Sequence, residues 1–217
     1  MEPVQFKPTT SQFAERPTAA EVSLRIQRLV TLLQHLRKPA TKTIQGLWAE
    51  LFLIGTYPKP EQWIRSWHTD PMGLHDFIFG DLRVEVKSRV GTDRIHRFSH
   101  DQLVAPSQVS LFIASILVER SNRGESIYDV AERIRRHLAP EDSLSLDSTI
   151  TSTLGSDYLK AEEIRFDPIH AESSLLFFPL STVPRLTDDI PNGVMDVSYT
   201  VRLLEADGMR KLPFAEK

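Results

Sequence analysis

The sequence has no cysteine in its 217 residues. That excludes a disulfide scaffold, a thiol nucleophile and every cysteine-based metal site. It fits a reducing compartment, and the cytoplasm is the expected location. No apolar run approaches the ~18 residues of a membrane span. The opening MEPVQFKPTT lacks the basic-then-apolar order of a secretory leader, so no membrane partner is expected. Also missing are G-x-S-x-G, G-x-x-x-x-G-K-[ST] and, among the seven histidines, any H-E-x-x-H pair. Nucleophile-elbow, P-loop and zincin chemistries therefore have no footing. Internal repeats and low-complexity tracts are absent as well.

What is present is a chain of 41% hydrophobic and 25% charged residues, long enough to bury a core without staples. At about 150 residues per domain it suggests one good-sized domain. Its net charge of -3 is unevenly divided: residues 1–138 sum to +4 and residues 139–217 to -7. A basic front permits a polyanionic partner, and an acidic back permits a protein partner.

Residues 1–17, with three prolines, read as an N-terminal arm, and 18–217 as a single domain. Thr18 and Glu21 have capping-box spacing. Val22, Ile26, Leu29, Val30, Leu33 and Leu36 then predict an amphipathic helix to about Lys38, stopped by Pro39. A second helix is expected over Thr43–Ile54, with Gly55 as its stop. Leu47, Trp48, Leu51, Phe52 and Ile54 make it apolar nearly all round, so Glu50 in its midst needs a partner. An arginine is the plain candidate. A short helix over Pro60–Trp67 follows, and Trp48, Trp63 and Trp67 read as core. Leu111–Val118 suits a buried strand, Ser126 to about Leu138 a capped helix and 143–154 another helix. Ile164–Phe166, Leu175–Phe178 and Val194–Leu204 read as strands.

The most informative stretch runs from His75 to Val90, two strands around a Gly80-Asp81 turn. A two-residue turn sets Phe79 opposite Leu82, Ile78 opposite Arg83, Phe77 opposite Val84 and Asp76 opposite Glu85. Phe77, Phe79, Leu82, Val84 and Val86 then share a core face. Asp76, Ile78, Arg83, Glu85 and Lys87 share the other. Opposed carboxylates repel, and a divalent cation between them removes that penalty; hard oxygen donors favour magnesium or manganese. Lys87 stands two residues from Glu85, placed to hold or help deprotonate an attacking water. Basic residues surround the pair: Arg83, Arg89, Arg94 and Arg97. They fit phosphate contact, or equally a charged hairpin edge.

Asp76 followed after eight residues by Glu85-Val86-Lys87 resembles the D…(D/E)-x-K signature of PD-(D/E)XK nucleases, with Glu50 matching their helix-borne acidic residue. Gly46-Leu-Trp-Ala-Glu50-Leu, Trp67 with Asp70-Pro71, His75-Asp76-Phe77, Glu85-Val-Lys87-Ser88 and His96-x-x-Ser99-x-x-Gln102-Leu103 together resemble the PD-(D/E)XK motif family of bacterial DNA-modification and phage-defence islands. The likeness is best over residues 21–118, with 119–217 as an α+β extension. It departs in a short N-terminal region, in the lack of an evident strand between Gly55 and Asp76, and in the proline, which lies at Pro71.

The resemblance implies an α/β (α+β) restriction-endonuclease-like core, a mixed central sheet flanked by helices. It implies Mg²⁺- or Mn²⁺-dependent DNA cleavage, with Asp76, Glu85 and the Val86 carbonyl on the metal. Lys87 would orient water, and Glu50 would bind a second metal or a water on the first. Gln102, His96 and Ser99 would position DNA, support the ligands, or cap a helix, the three meeting only if that segment is partly helical. Arg89 and Arg94 would contact DNA. Further defence subunits and a homodimer are compatible partners. Two alternatives stand beside this: a non-catalytic DNA-binding or scaffold subunit, and an α+β domain whose charged neighbours are structural ion pairs.

Overall fold

The Gly80-Asp81 turn organises the molecule as its register demands. In a computed structural model describing residues 19–67, 73–187 and 190–213, Phe77 pairs with Val84, Ile78 with Arg83 and Phe79 with Leu82. Gly80 takes φ 58° in the turn, a conformation that costs glycine nothing. The arm, Thr18 of the expected capping box, and Asp70-Pro71 lie outside the described residues.

The elements in chain order are α1 (Ala19–His35), α2 (Ile44–Thr56), α3 (Pro60–Ser66), β1 (Phe77–Phe79), β2 (Leu82–Val90), β3 (Ile95–Ser99), β4 (Ser110–Val118) and β5 (Arg120–Glu125). Then come α4 (Ile127–Arg135), α5 (Pro140–Leu154), α6 (Pro168–Ser174), β6 (Leu176–Pro179) and β7 (Ser198–Arg202). The central sheet has the order β1-β2-β4-β6. Its β2–β4 pair is parallel and the two flanking pairs are antiparallel, so the sheet is mixed. β3 and β7 form a separate antiparallel ribbon.

Each face of this sheet meets its own core. Phe77, Val84, Phe112, Ala114, Ile116 and Val118 pack with apolar side chains of α2, α4 and α5, and Phe79, Leu82 and Val86 lie partly buried against them. Leu111, Ile113 and Phe178 pack instead with Phe98, Leu103 and Val201 from the ribbon side. Glu85 is the register partner of Ile113, and Lys87 of Ser115. Both therefore stand on the ribbon-side face, away from the helices.

Several expectations are corrected. α2 runs past Gly55 to Thr56. A Cβ on Gly55 would lie 2.7 Å from Arg133 Nη1, and that nitrogen donates to the Gly55 carbonyl at 3.0 Å; the glycine admits α4 rather than ending α2. α1 stops at His35, and its Val22, Ile26, Val30 and Leu33 are exposed. The segment bearing His96 and Ser99 is a strand, followed by a single 3₁₀ turn over Asp101–Leu103. Phe166 makes isolated bridges to Arg120 and Glu125 instead of joining a strand over 164–166. β5 reads RSNRGE, without alternation, and α6 has little apolar periodicity, so neither was visible to pattern. α6 starts because Asp167 accepts from the N–H groups of Ile169 and His170, with Pro168 in the first turn.

Candidate active site

β1 has three residues and β2 has nine, so β2 has no β1 partner beyond Val84. The Val86 N–H on that open edge donates to Asp76 Oδ2 at 2.8 Å. A strand residue turns its N–H and C=O to the same edge, so the Val86 carbonyl opens toward Asp76 as well. Asp76 and Glu85 are both buried beside this notch.

Across the notch stands Lys42, which the sequence did not single out. Its Nζ lies 2.6 Å from Glu50 Oε1 and 2.5 Å from Asp76 Oδ1. The partner that buried Glu50 requires is thus a lysine rather than an arginine. The other Glu50 oxygen, Oε2, accepts from Trp67 Nε1 at 2.7 Å. Trp67, expected in the core, is instead half-buried with its indole N–H on a carboxylate.

On β2, Lys87 Nζ lies 2.7 Å from Glu85 Oε1, and Gln102 Nε2 donates to that same oxygen at 2.7 Å. Gln102 Oε1 accepts from Lys87 Nζ at 3.3 Å and from the Ser99 N–H at 3.2 Å. Ser99 Oγ accepts from the Gln102 N–H at 3.4 Å, and His75 Nε2 donates to the Gln102 carbonyl at 3.0 Å. Gln102 therefore fixes Glu85 and Lys87 relative to each other, and Ser99 holds the turn that delivers it. Lys87 Nζ also lies 4.9 Å from the Phe98 ring centroid, within cation–π range.

The structure does not bring His96 or Arg94 into this group. His96 is buried with Nε2 2.8 Å from Ser115 Oγ. Arg94 is buried too, its guanidinium taken by Ser115 O, Ser115 Oγ, Ser174 O and Glu205. A guanidinium so occupied is not offered to DNA, which corrects the reading of Arg94 as a phosphate contact. Arg89 and Arg97 are exposed.

Three carboxylates and two ammonium groups meet here, so negative charge is in excess. Burial, then the neighbouring charge of Asp76, pushes both Glu50 and Glu85 up to about 8. Burial would lower Lys42, but Glu50 and Asp76 outweigh it and hold that ammonium above the ordinary lysine range. Among the described residues, no three His, Asp or Glu side chains form a group able to hold a metal ion. Asp76 and Glu85 with the Val86 carbonyl do supply the hard oxygens that a divalent cation prefers. A cation, the Lys42 ammonium, already rests on one of those carboxylates. In donor chemistry the residues fit such an ion.

A family model described as "Putative PD-(D/E)XK family member" matches residues 8–204. The chain belongs to this family. Its mixed sheet flanked by helices is compatible with the restriction-endonuclease-like fold, and the superfamily consists generally of nucleases that use divalent metals. No curated protein and no solved structure matches the chain. Among the described residues no helix is long and apolar enough to cross a membrane.

Proposed function

We propose that this protein is a metal-dependent DNA endonuclease of a bacterial restriction or phage-defence system. The observation that carries the reading is the convergence of Asp76, Glu85, Lys87 and Gln102 where β1 stops short of β2. Asp76, Glu85 and the Val86 carbonyl would hold Mg²⁺ or Mn²⁺. The bound ion supplies Lewis-acid neutralisation of charge on the phosphate. Lys87, aimed by Gln102, orients the attacking water and offsets negative charge developing on the phosphate oxygens. Arg89, two residues beyond Lys87 on β2, is exposed and suits a backbone phosphate. Two such sites acting on opposite strands would call for a homodimer, and the acidic C-terminal third suits further subunits of a defence assembly.

Incubation of plasmid DNA with Mg²⁺ or Mn²⁺ and the wild type, Asp76→Ala or Lys87→Ala tests this. Nicking by the wild type alone supports it, and equal nicking by all three refutes it. One observation favours a non-catalytic DNA-binding or scaffold subunit instead: Lys42 and Lys87 already pair with all three carboxylates. That reading expects salt-sensitive DNA binding with no turnover, even with Mn²⁺.

A further inference from the structure

We infer that the site takes one divalent cation rather than two, because the Lys42 ammonium is the resident cation of its Glu50 half. The inference rests on the nuclease reading above and reassigns Glu50 from metal ligand to holder of Lys42.

Both oxygens of Glu50 are engaged, while Asp76 stands between the two halves and also serves the Val86 edge. Glu50 gives Oε1 to Lys42 and Oε2 to the Trp67 indole N–H. Asp76 gives Oδ1 to Lys42 and Oδ2 to the Val86 N–H. An ion on Glu50 would have to expel an ammonium that two carboxylates grip at 2.6 and 2.5 Å. The backbone does not release Lys42 readily. On one side, Thr41 N donates to Thr153 O at 2.9 Å. On the other, the Thr43 side chain caps α2 by accepting from Gly46 N at 3.0 Å. Lys42 is thus anchored through both neighbours and aimed inward.

The Glu85 half is built differently. Lys87 shares its strand with Glu85 and also reaches Gln102, so its ammonium can pivot toward a phosphate without backbone change. The open edge of Val86 faces Asp76, between the two halves.

Charge points the same way. With every group ionised, the cluster of Glu50, Asp76, Glu85, Lys42 and Lys87 carries one net negative charge. One divalent ion turns it singly positive, which suits an anionic phosphate. Two would make a buried cluster triply positive, and like charges a few ångströms apart in a low dielectric repel strongly.

The test is a titration of the full chain with Mn²⁺, following free ion by electron paramagnetic resonance, with plasmid nicking in parallel. The wild type should bind one Mn²⁺ per chain, and Lys42→Arg one. Lys42→Met, which keeps the length and removes the charge, should bind two. Glu50→Gln should still bind one, weakened by about 10- to 100-fold, as for a residue acting behind the ligands. Asp76→Asn should bind none.

Two ions on the wild type, one of them lost in Glu50→Gln, would overturn the inference while nicking kept the nuclease reading intact. A single ion on a folded Lys42→Met would overturn it too. If Lys42→Met does not fold, the Glu50→Gln titration decides: retained stoichiometry supports the inference, and loss of the ion refutes it. A wild type that binds no Mn²⁺ and nicks nothing would remove both readings together.

Discussion

Lys87 and Arg94 are cations in one basic stretch of sequence, and each reaches a buried polar cluster on the same side of the sheet. Ser115, the register partner of Lys87, is also the hub of the Arg94 cluster. There, Arg94 donates to the Ser115 carbonyl at 2.8 Å, to Ser115 Oγ at 3.0 Å and to the Ser174 carbonyl. The Ser115 hydroxyl proton is left to point at His96 Nε2, 2.8 Å away, which suits a neutral imidazole. Burial, then the charges of Lys87, Arg94 and Arg89, pushes His96 down to about 3. This cluster is complete: its donors meet acceptors, and one cation is spread over carbonyl oxygens and a rim carboxylate.

The Lys87 cluster is incomplete by the same measure. Three carboxylates face two ammonium groups, and Glu50 and Glu85 are pushed up to about 8 by burial and by Asp76. Buried polarity is therefore not in itself a sign of chemistry. An imbalance of buried charge, opening onto an unpaired strand edge, is the more telling sign.

Lys87→Ala or Asp76→Ala should reduce DNA nicking by roughly 10²–10³-fold, the scale of removing one group that stabilises transition-state charge, while the protein stays folded by circular dichroism. Full activity in either variant would deprive the acidic cluster of its assigned role. Arg94→Leu should instead cost about 3 kcal/mol of stability in urea unfolding, because it strands two buried carbonyls and a hydroxyl. An Arg94→Leu protein as stable as the wild type, but inactive, would move Arg94 into the site.

The sequence made one of these clusters legible and misled about the other. A two-residue turn and a period of two set the β1–β2 register over Phe77–Phe79, and with it the shared face of Glu85 and Lys87; Asp76, expected opposite Glu85, lies just ahead of β1 and accepts from the Val86 N–H instead. Glu50 announced that it needed a partner. It could not say which, because Lys42 sits just ahead of α2 and meets Asp76 across 34 residues of sequence, a distance no helix or strand periodicity spans. Arg94 looked like its exposed neighbours Arg89 and Arg97, since composition cannot tell an arginine turned into a core from one turned to solvent. Gln102 was singled out by the motif it shares with the family, which left its geometry open: a strand and a tight turn bring it to Ser99, where only a partly helical segment would have gathered His96 as well. β5 and α6 carry no periodicity, and tertiary pairing decides them.

A smaller effect separates the clusters by the sign of their pH dependence. His96 has a folded pKa of about 3, against about 6.5 for a free imidazole. The folded state then binds fewer protons, so its stability is full above pH 6.5 and declines as pH falls toward 3. Glu50 and Glu85, raised to about 8, act oppositely, losing stability as pH rises from the ordinary carboxylate range through 8. Comparing the wild type with His96→Gln cancels the carboxylates. The wild type should lose roughly 2 kcal/mol more than the variant between pH 7.5 and pH 5, measured by urea unfolding at each pH. Parallel curves would mean that His96 takes up its proton as readily in the fold as in the unfolded chain.

The smallest expected effect concerns the basic stretch itself, where burial rather than composition should decide which arginines meet DNA. Arg89 is exposed, and Nη1 donates to the Ile95 carbonyl at 3.1 Å, which steadies the guanidinium beside the site and leaves other N–H groups for a phosphate. Each phosphate neutralised releases counterions and adds about 0.9 to the slope of log affinity against log salt. Arg89→Ala, made in the Asp76→Ala background to prevent cutting, should therefore weaken duplex binding only a few-fold and flatten that slope by about one, read by fluorescence anisotropy from low to moderate salt. Arg94→Leu in the same background should leave the slope unchanged wherever the protein remains folded, because its guanidinium never reaches solvent. Equal slopes for Arg89→Ala and its parent would make Arg89 an edge-protecting charge. A flattened slope for Arg94→Leu would show that the buried cluster opens when DNA binds.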